Sequence, residues 1–355
     1  MAGEGVEGVS QLRAAILGCG GRAVGHAEAY AAGVAAGSLV ACCDMDATRL
    51  EAFATRFGIG ARYTDLSRMV REVQPDLLHV VTRPSFRPAV LEIVLRDRPR
   101  AVLVEKPVAH RPSEGWAWID GCRTAGIPLF VNHQLRFHRP FERLRAIVQS
   151  GALGPLAFGR VSSMSDVLDQ GTHVLDLVNF VLDGQPADWI VAQADGVEGY
   201  PRGRDCPDYM AGAICYGGGL HFGFECGAPA GRWRQEPKHF WNKGLELVGE
   251  RGRAGASSNH GWWAQTADGG LQGESVPYGP EDLHAQAALT DSVLRALGDR
   301  AETHRCHAAS SQAAFELIMA AQRSALLRRR VDPHERFADG VLAQLRTVLE
   351  AGAAE

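Results

Sequence analysis

From residue 12 to about residue 131, short apolar runs rich in β-branched residues alternate with stretches whose apolar positions recur at helical spacing. Residues 14–17, 39–43, 77–81, 101–104 and 129–131 read as strands, and residues 24–35, 47–57, 86–96 and 113–124 as helices. Strands alternating with helices are the signature of βαβ units and a parallel sheet. Beyond residue 133 the pattern changes. Strand-like runs follow one another at 156–162, 189–194, 209–216, 220–226 and 245–249, with Gly217-Gly218-Gly219 placed to join two of them as a hairpin. Residues 174–182 are apolar on nearly every face, which predicts a buried helix stopped by Gly184, and two longer helical patterns cover 281–297 and 308–327. The expected fold class is α/β: a Rossmann-type, doubly wound parallel sheet over residues 1–133, then an α/β domain with an antiparallel sheet over residues 134–355.

Composition narrows the function classes. Hydrophobic content of 46% and charged content of 22% fit a folded globular protein, and 355 residues favour two domains. A formal net charge of -4, from Lys+Arg 37 against Asp+Glu 41, offers no basic face for a phosphate backbone, so nucleic acid is not an expected partner. Arg328-Arg329-Arg330 reads as a cationic helix C-terminus. No window approaches a membrane span and the N-terminal residues carry no leader pattern, so the expectation is a cytoplasmic protein that does not bind membranes. The eight cysteines form no C-x-x-C pair and no metal-like spacing, which predicts buried reduced thiols and no metal site.

Gly18-Cys19-Gly20-Gly21-Arg22-Ala23 lies between the first strand and the first helix. Gly18 and Gly20 allow a tight turn and close backbone approach, and Ala23 takes the third small position, so a pyrophosphate can rest on the start of the following helix. Asp44 ends the second strand about 20 residues on, where a carboxylate accepts from ribose hydroxyls and repels a 2′-phosphate. NAD is therefore the expected cofactor. NADP stays open because Arg22 and Arg49 could each approach a 2′-phosphate, and Asp44 also reads as a turn residue beside Asp46. Thr82, Arg83 and Pro84 should form the loop beside the cofactor or simply a proline-fixed turn.

Glu105-Lys106-Pro107 closes the strand at 101–104, and a lysine at the carboxyl end of a buried strand sits where open α/β sheets bind ligands. Asp169-Gln170-Gly171-Thr172-His173 precedes the buried helix, so Asp169 and His173, four apart, should project to one side, with Asp176 one turn later. Alcohol oxidation needs a proton acceptor and a group that steadies the oxygen. His173 is the candidate base, Lys106 the hydrogen-bond donor, and Asp169 the group that orients substrate or His173. Arg136, after the sixth strand, could face cofactor or substrate, or form an interdomain salt bridge; His133 and His138 are weaker candidates of the same kind. Trp233, Trp241, Trp262 and Trp263 could stack on sugar C–H faces or pack at an interface.

These motifs, in this order, resemble the Gfo/Idh/MocA family of glucose–fructose oxidoreductase and inositol dehydrogenase relatives, and the resemblance covers nearly the whole chain. It implies a second sheet that is large, mostly antiparallel and open, through which subunits form a homodimer or homotetramer. It also implies NAD or NADP as cofactor, sugar or polyol substrates, and Lys106, Asp169 and His173 as the catalytic set. Glu105, Lys106 and Arg136 join Gly18, Gly20, Gly21, Arg22, Asp44, Thr82 and Pro84 as the expected cofactor-binding residues. One departure is the short connection from Phe158-Gly159-Arg160-Val161-Ser162-Ser163 to Asp169, which predicts a more open pocket. Two other readings remain: an enzyme that retains NAD and uses transient oxidation for glycoside cleavage or elimination, and a non-catalytic NAD-binding metabolite sensor.

Overall fold

The structure is a computed structural model that describes residues 11–230, 241–297 and 300–353. Its first half runs β1 (Leu12–Leu17), α1 (Gly21–Gly33), β2 (Gly37–Cys43), α2 (Ala47–Phe57), β3 (Ala61–Tyr63), α3 (Leu66–Val73), β4 (Leu77–Val80), α4 (Arg87–Asp97), β5 (Val102–Val104), α5 (Pro112–Ala125) and β6 (Leu129–Val131). All strands of this sheet are parallel, in the order β3-β2-β1-β4-β5-β6. The central strands are covered on both faces, which is why they read as unbroken apolar runs. Strand order reverses between β1 and β4, and an open sheet of this kind leaves its crevice there, outside the carboxyl ends of the strands. The sequence pattern passes over β3 and α3.

The second half continues with α6 (Arg139–Gln149), β7 (Leu156–Ser163), α7 (Thr172–Val181), β8 (Ala187–Asp195), β9 (Tyr209–Tyr216), β10 (Leu220–Gly227), β11 (Lys243–Gly249), β12 (Gly252–Ser257), β13 (Gly261–Thr266), β14 (Gly270–Glu274), α8 (Tyr278–Ala296), α9 (Ala308–Leu327) and α10 (Gly340–Gly352). Its eight strands form one sheet in the order β14-β13-β12-β11-β7-β10-β9-β8. Every pairing in it is antiparallel except β7 with β10. Buried α7 lies against one face of the sheet, whereas Phe158 and Val248 on β7 and β11 stay exposed.

Two C-terminal helices return to the first sheet. Asp291 on α8 accepts from the backbone N–H groups of Ala35 and Ala36, both at 2.8 Å, which fastens α8 to the end of α1. The residues entering α9 bridge to β6 through Phe130 and His307. This return brings the start of α8 to the mouth of the crevice.

Arg136 proves to be a fastener and not part of the cofactor wall. Its side chain is 3% exposed; Nε and Nη2 donate to the two oxygens of Asp176 on α7 at 2.8 and 2.6 Å, and Nη2 also reaches Ser310 O at 3.0 Å. Nη1 donates to Arg305 O. The bidentate fork suits a carboxylate enclosed in protein, and the partner lies forty residues away on a helix whose polar residues give no sign of it. Removing one member of a buried pair leaves the other charge unpaired at a cost of roughly 3–5 kcal/mol. Arg136→Met should therefore lower unfolding stability by about that amount in guanidinium titrations, and Arg136→Met with Asp176→Leu should recover much of the loss; equal stability of Arg136→Met and the parent would contradict the assignment.

Candidate active site

The crevice is an open cleft of about 680 Å³, lined by Gly21, Arg22, Thr82, Pro84, Glu105, Lys106, Asp169 and His173 among the expected residues. Gln134, Gln170, Tyr278 and Asp282 join them. Its floor begins at the glycine turn. Gly18 has φ +91, and a Cβ there would sit 2.6 Å from Val81 O, so backbone conformation and close approach to the end of β4 both require glycine. At Gly20 and Gly21 a Cβ would meet nothing within 4 Å. Helix α1 starts there with no side-chain cap and no acidic residue in its first turn, an arrangement open to an anion. Asp44 reaches back to this turn, accepting from Cys19 N at 2.8 Å and Asp46 N at 2.9 Å. Arg49 lies 3.8 Å from the same carboxylate, whereas Arg22 is turned toward Glu105. Of the two arginines expected near a 2′-phosphate, only Arg49 neighbours Asp44.

Glu105 organises the middle of the cleft. Its Oε1 accepts from Arg22 Nε at 2.7 Å, His26 Nε2 at 2.8 Å and Asn132 Nδ2 at 2.8 Å. Burial would raise the pKa of such a carboxyl, but Arg22 and the His26 bond hold it well below the usual range. Arg22 Nη2 and Asn132 Nδ2 both donate to Gln286 Oε1 on α8, at 2.6 and 2.9 Å, closing a ring across β5, β6, α1 and α8. Behind it, Tyr30, His79 and His26 form a buried row: Tyr30 Oη lies 2.7 Å from His79 Nε2, and the two Nδ1 atoms are 3.2 Å apart.

Lys106 follows directly on Glu105. Its Nζ donates to Asp169 O at 2.7 Å and Asp169 Oδ1 at 3.2 Å. Asp169 stands in a π-helical turn, Val167–Gly171, capped by Asp166, and takes further bonds from Ser165 Oγ at 2.8 Å and Gln170 Nε2 at 2.9 Å. Burial notwithstanding, Lys106 keeps the Asp169 carboxyl below its ordinary range. Among the described residues, the side chains hydrogen-bonded to the Asp169 carboxylate are those of Lys106, Ser165 and Gln170.

His173, in the first turn of α7, is 3% exposed. Its Nδ1 is enclosed without a hydrogen-bond partner, and its ring meets that of His133 edge-on at 6.1 Å. Burial, reinforced by Lys106, Lys243 and His133, pushes its pKa well below the usual value, so the ring stays neutral. A neutral imidazole at the wall of a cleft that also holds an ammonium can accept a proton from a hydroxyl group.

The sequence profile of the oxidoreductase family with an NAD-binding Rossmann fold, GFO_IDH_MocA, matches residues 12–133. Over these residues the chain is similar to the NAD-binding Rossmann part of that oxidoreductase family. It is 30% identical over 191 residues to D-apiose dehydrogenase of Rhizobium rhizogenes, covering 49% of this chain and 55% of that protein. To D-glucoside 3-dehydrogenase of Escherichia coli it is 27% identical over 197 residues, covering 50% and 56%. The chain thus spans about half the length of these curated relatives. In fold it is similar to a crystal structure of an oxidoreductase from Agrobacterium radiobacter in complex with NAD+, L-tartaric acid and magnesium, with TM-score 0.79 at 22% identity over 91% of this chain and 99% of that one. A levoglucosan dehydrogenase in complex with NADH and levoglucosan gives TM-score 0.79 at 16% identity over 92% and 100%.

Three residues at or beside this cleft carried no signal in the local sequence pattern. Tyr278 and Asp282 open α8, and Asp282, held to about 2 by His138 and Arg22 against the effect of burial, faces Arg22 at 3.9 Å. Lys243 begins β11 and donates to Gln170 Oε1 at 2.9 Å. The tryptophans do not make one platform. Trp241 packs against Tyr278 with ring centroids 5.8 Å apart, Trp262 lies under Arg143, Trp263 under Arg253, and Trp233 falls outside the described residues. The eight cysteines are free and buried, and among the described residues no helix is long and apolar enough to cross a membrane.

Burial lowers the pKa of His26, His79, His133 and His173 together, and His133 falls to about 4. Such groups bind protons more readily unfolded than folded, so stability is full above about pH 6.5 and declines as pH falls toward the folded value; His133 alone accounts for about 3 kcal/mol of it. Melting temperature should fall from about pH 7 to about pH 5 and fall less steeply in His133→Gln. A flat profile in the parent protein would contradict this.

Proposed function

We propose that the protein is an NAD-dependent dehydrogenase that oxidises a secondary hydroxyl of a sugar, polyol or related ring compound. The observation that carries this reading is Lys106, fixed by Asp169, in the same cleft as neutral His173 and the glycine turn. Bound NAD supplies the hydride acceptor. The open backbone at Gly20 and Gly21 would hold its pyrophosphate, and Asp44 its adenosine ribose, which favours NAD over NADP. Thr82 Oγ1, buried with no hydrogen-bond partner beside Pro84, has a donor and acceptor to offer the cofactor. Arg22 and Glu105 hold the helix start and Lys106 in register instead of gripping the cofactor themselves.

His173 takes the hydroxyl proton through Nε2, since Nδ1 is enclosed. Lys106 Nζ donates to the same oxygen and steadies the negative charge that grows there. Asp169 acts by holding Lys106. An imidazolium beside Lys106 and Lys243 is disfavoured, so once protonated His173 gives up its proton readily. The relatives' names, D-apiose dehydrogenase and D-glucoside 3-dehydrogenase, support sugars and glycosides as the substrate classes to test first. The exposed face of the eight-stranded sheet, carrying Phe158 and Val248, suits a homodimer or homotetramer in the cytoplasm.

Purified protein mixed with NAD+, and separately with NADP+, against D-apiose, methyl glucosides, levoglucosan and inositols should produce reduced nicotinamide with NAD+ and at least one of them. Lys106→Ala and His173→Ala should each lower kcat by about 100-fold or more while NADH binding changes little. Turnover that survives both substitutions, or NAD binding without turnover of any compound, counts against the proposal.

A further inference from the structure

Of the 37 lysines and arginines, three are lysines: Lys106, Lys238 and Lys243. Everywhere else this chain uses arginine for positive charge. Lys238 lies outside the described residues, and the other two meet in the candidate active site. A guanidinium is broader, planar and permanently charged, so a chain that otherwise prefers arginine keeps lysine where a compact, titratable ammonium is required.

Lys106 is absorbed by the proposed chemistry; Lys243 is not. It is 1% exposed at the start of β11, paired in register with Ser163 at the end of β7, and its Nζ lies 5.1 Å from the Tyr278 ring centre. Burying an ammonium is costly unless its hydrogen bonds are met. Here it donates to Gln170 Oε1 at 2.9 Å, which sets the amide so that Nε2 donates to Asp169 Oδ1 at 2.9 Å. That oxygen is the one Lys106 Nζ reaches at 3.2 Å. The two lysines are thus joined through one amide and one carboxylate.

We propose that Lys243 is a positioning residue of the reaction centre, acting through the Gln170 amide to hold Asp169 on Lys106. This rests on the dehydrogenase reading for its meaning, though not for its test. Burial, helped by Lys106 and opposed by Asp282 and Asp169, brings Lys243 to about 7. The titratable and charged groups around it among the described residues are Lys106 after β5, Asp169 in the π-helical turn, His173 on α7, Tyr278 and Asp282 on α8, and Arg22 on α1. When Lys243 loses its proton, the bond to Gln170 ceases to be charge-assisted, and one positive charge that disfavours protonated His173 disappears. The grip on Lys106 should therefore loosen as pH rises through neutrality.

Full-length protein carrying [ε-13C]lysine, saturated with NADH, gives three lysine signals that Lys106→Arg and Lys243→Arg assign. The Lys243 signal should titrate near pH 7, and the Lys106 signal should show a second inflection in that range. That inflection should vanish in Lys243→Met and in Gln170→Leu; the latter carries the test alone if Lys243→Met does not fold. A Lys106 signal with the same pH course in parent and Gln170→Leu, or a Lys243 signal that does not move near neutrality, overturns the proposal. Because no substrate is used, failure here is separate from failure of the dehydrogenase reading, which shows as absent turnover.

Discussion

One carboxylate oxygen, Oε1 of Glu105, joins elements that are far apart in the chain. It receives the first turn of α1 through Arg22, the body of α1 through His26 and the end of β6 through Asn132, and Arg22 and Asn132 carry the connection to α8 through Gln286. A buried charge is tolerated only when its lone pairs are met, and such a network is far more costly half-made than complete. Lys106 is the next residue. Its reach toward Asp169 is therefore set by the same contacts that place the helix start for a pyrophosphate and bring Tyr278 and Asp282 to the mouth of the cleft.

The electrostatic character of the site follows from how its charges are shared out. Glu105, Asp169 and Asp282 each face a cation, and burial, reinforced by the positive groups that remain close to His173, keeps its ring neutral. In the proposed reaction His173 would exchange its proton with a hydroxyl whose developing charge Lys106 steadies at the same moment.

How much of this could be read from the chain varies with the kind of signal. The strands of the first sheet were legible because burial on both faces leaves unbroken apolar runs, and the glycine turn because only glycine meets Val81 O so closely at Gly18. β3 was missed because three residues with an outward Arg62 show no period, and β12 and β14 because Gly252–Ser257 is built of small residues and Gly270–Glu274 is exposed throughout. α6 starts with proline at its second position and charge around it, which masks a narrow apolar stripe. In the site, Lys106, Asp169 and His173 stood out because each ends or begins an element. Arg136 was left open between cofactor and salt bridge because a basic residue after a strand looks the same whether its carboxylate is a ligand's or a buried neighbour's. Lys243, Tyr278 and Asp282 reach the cleft only through the return of the second half of the chain, which no local pattern records.

The buried row behind Glu105 has one direction. A carboxylate can only accept, so neutral His26 must carry its hydrogen on Nε2 and present a bare Nδ1. That obliges His79 to donate from its own Nδ1 and to accept, at Nε2, the hydroxyl hydrogen of Tyr30. Three hydrogens thus point the same way, from the flank of α1 to the wall of the cleft, and none can be reversed unless Glu105 itself takes a proton. The helix that carries the glycine turn is thereby tied to the charge state of the residue beside Lys106, so the anion-binding end of the fold and the proton-handling end share one ordered set of hydrogen positions.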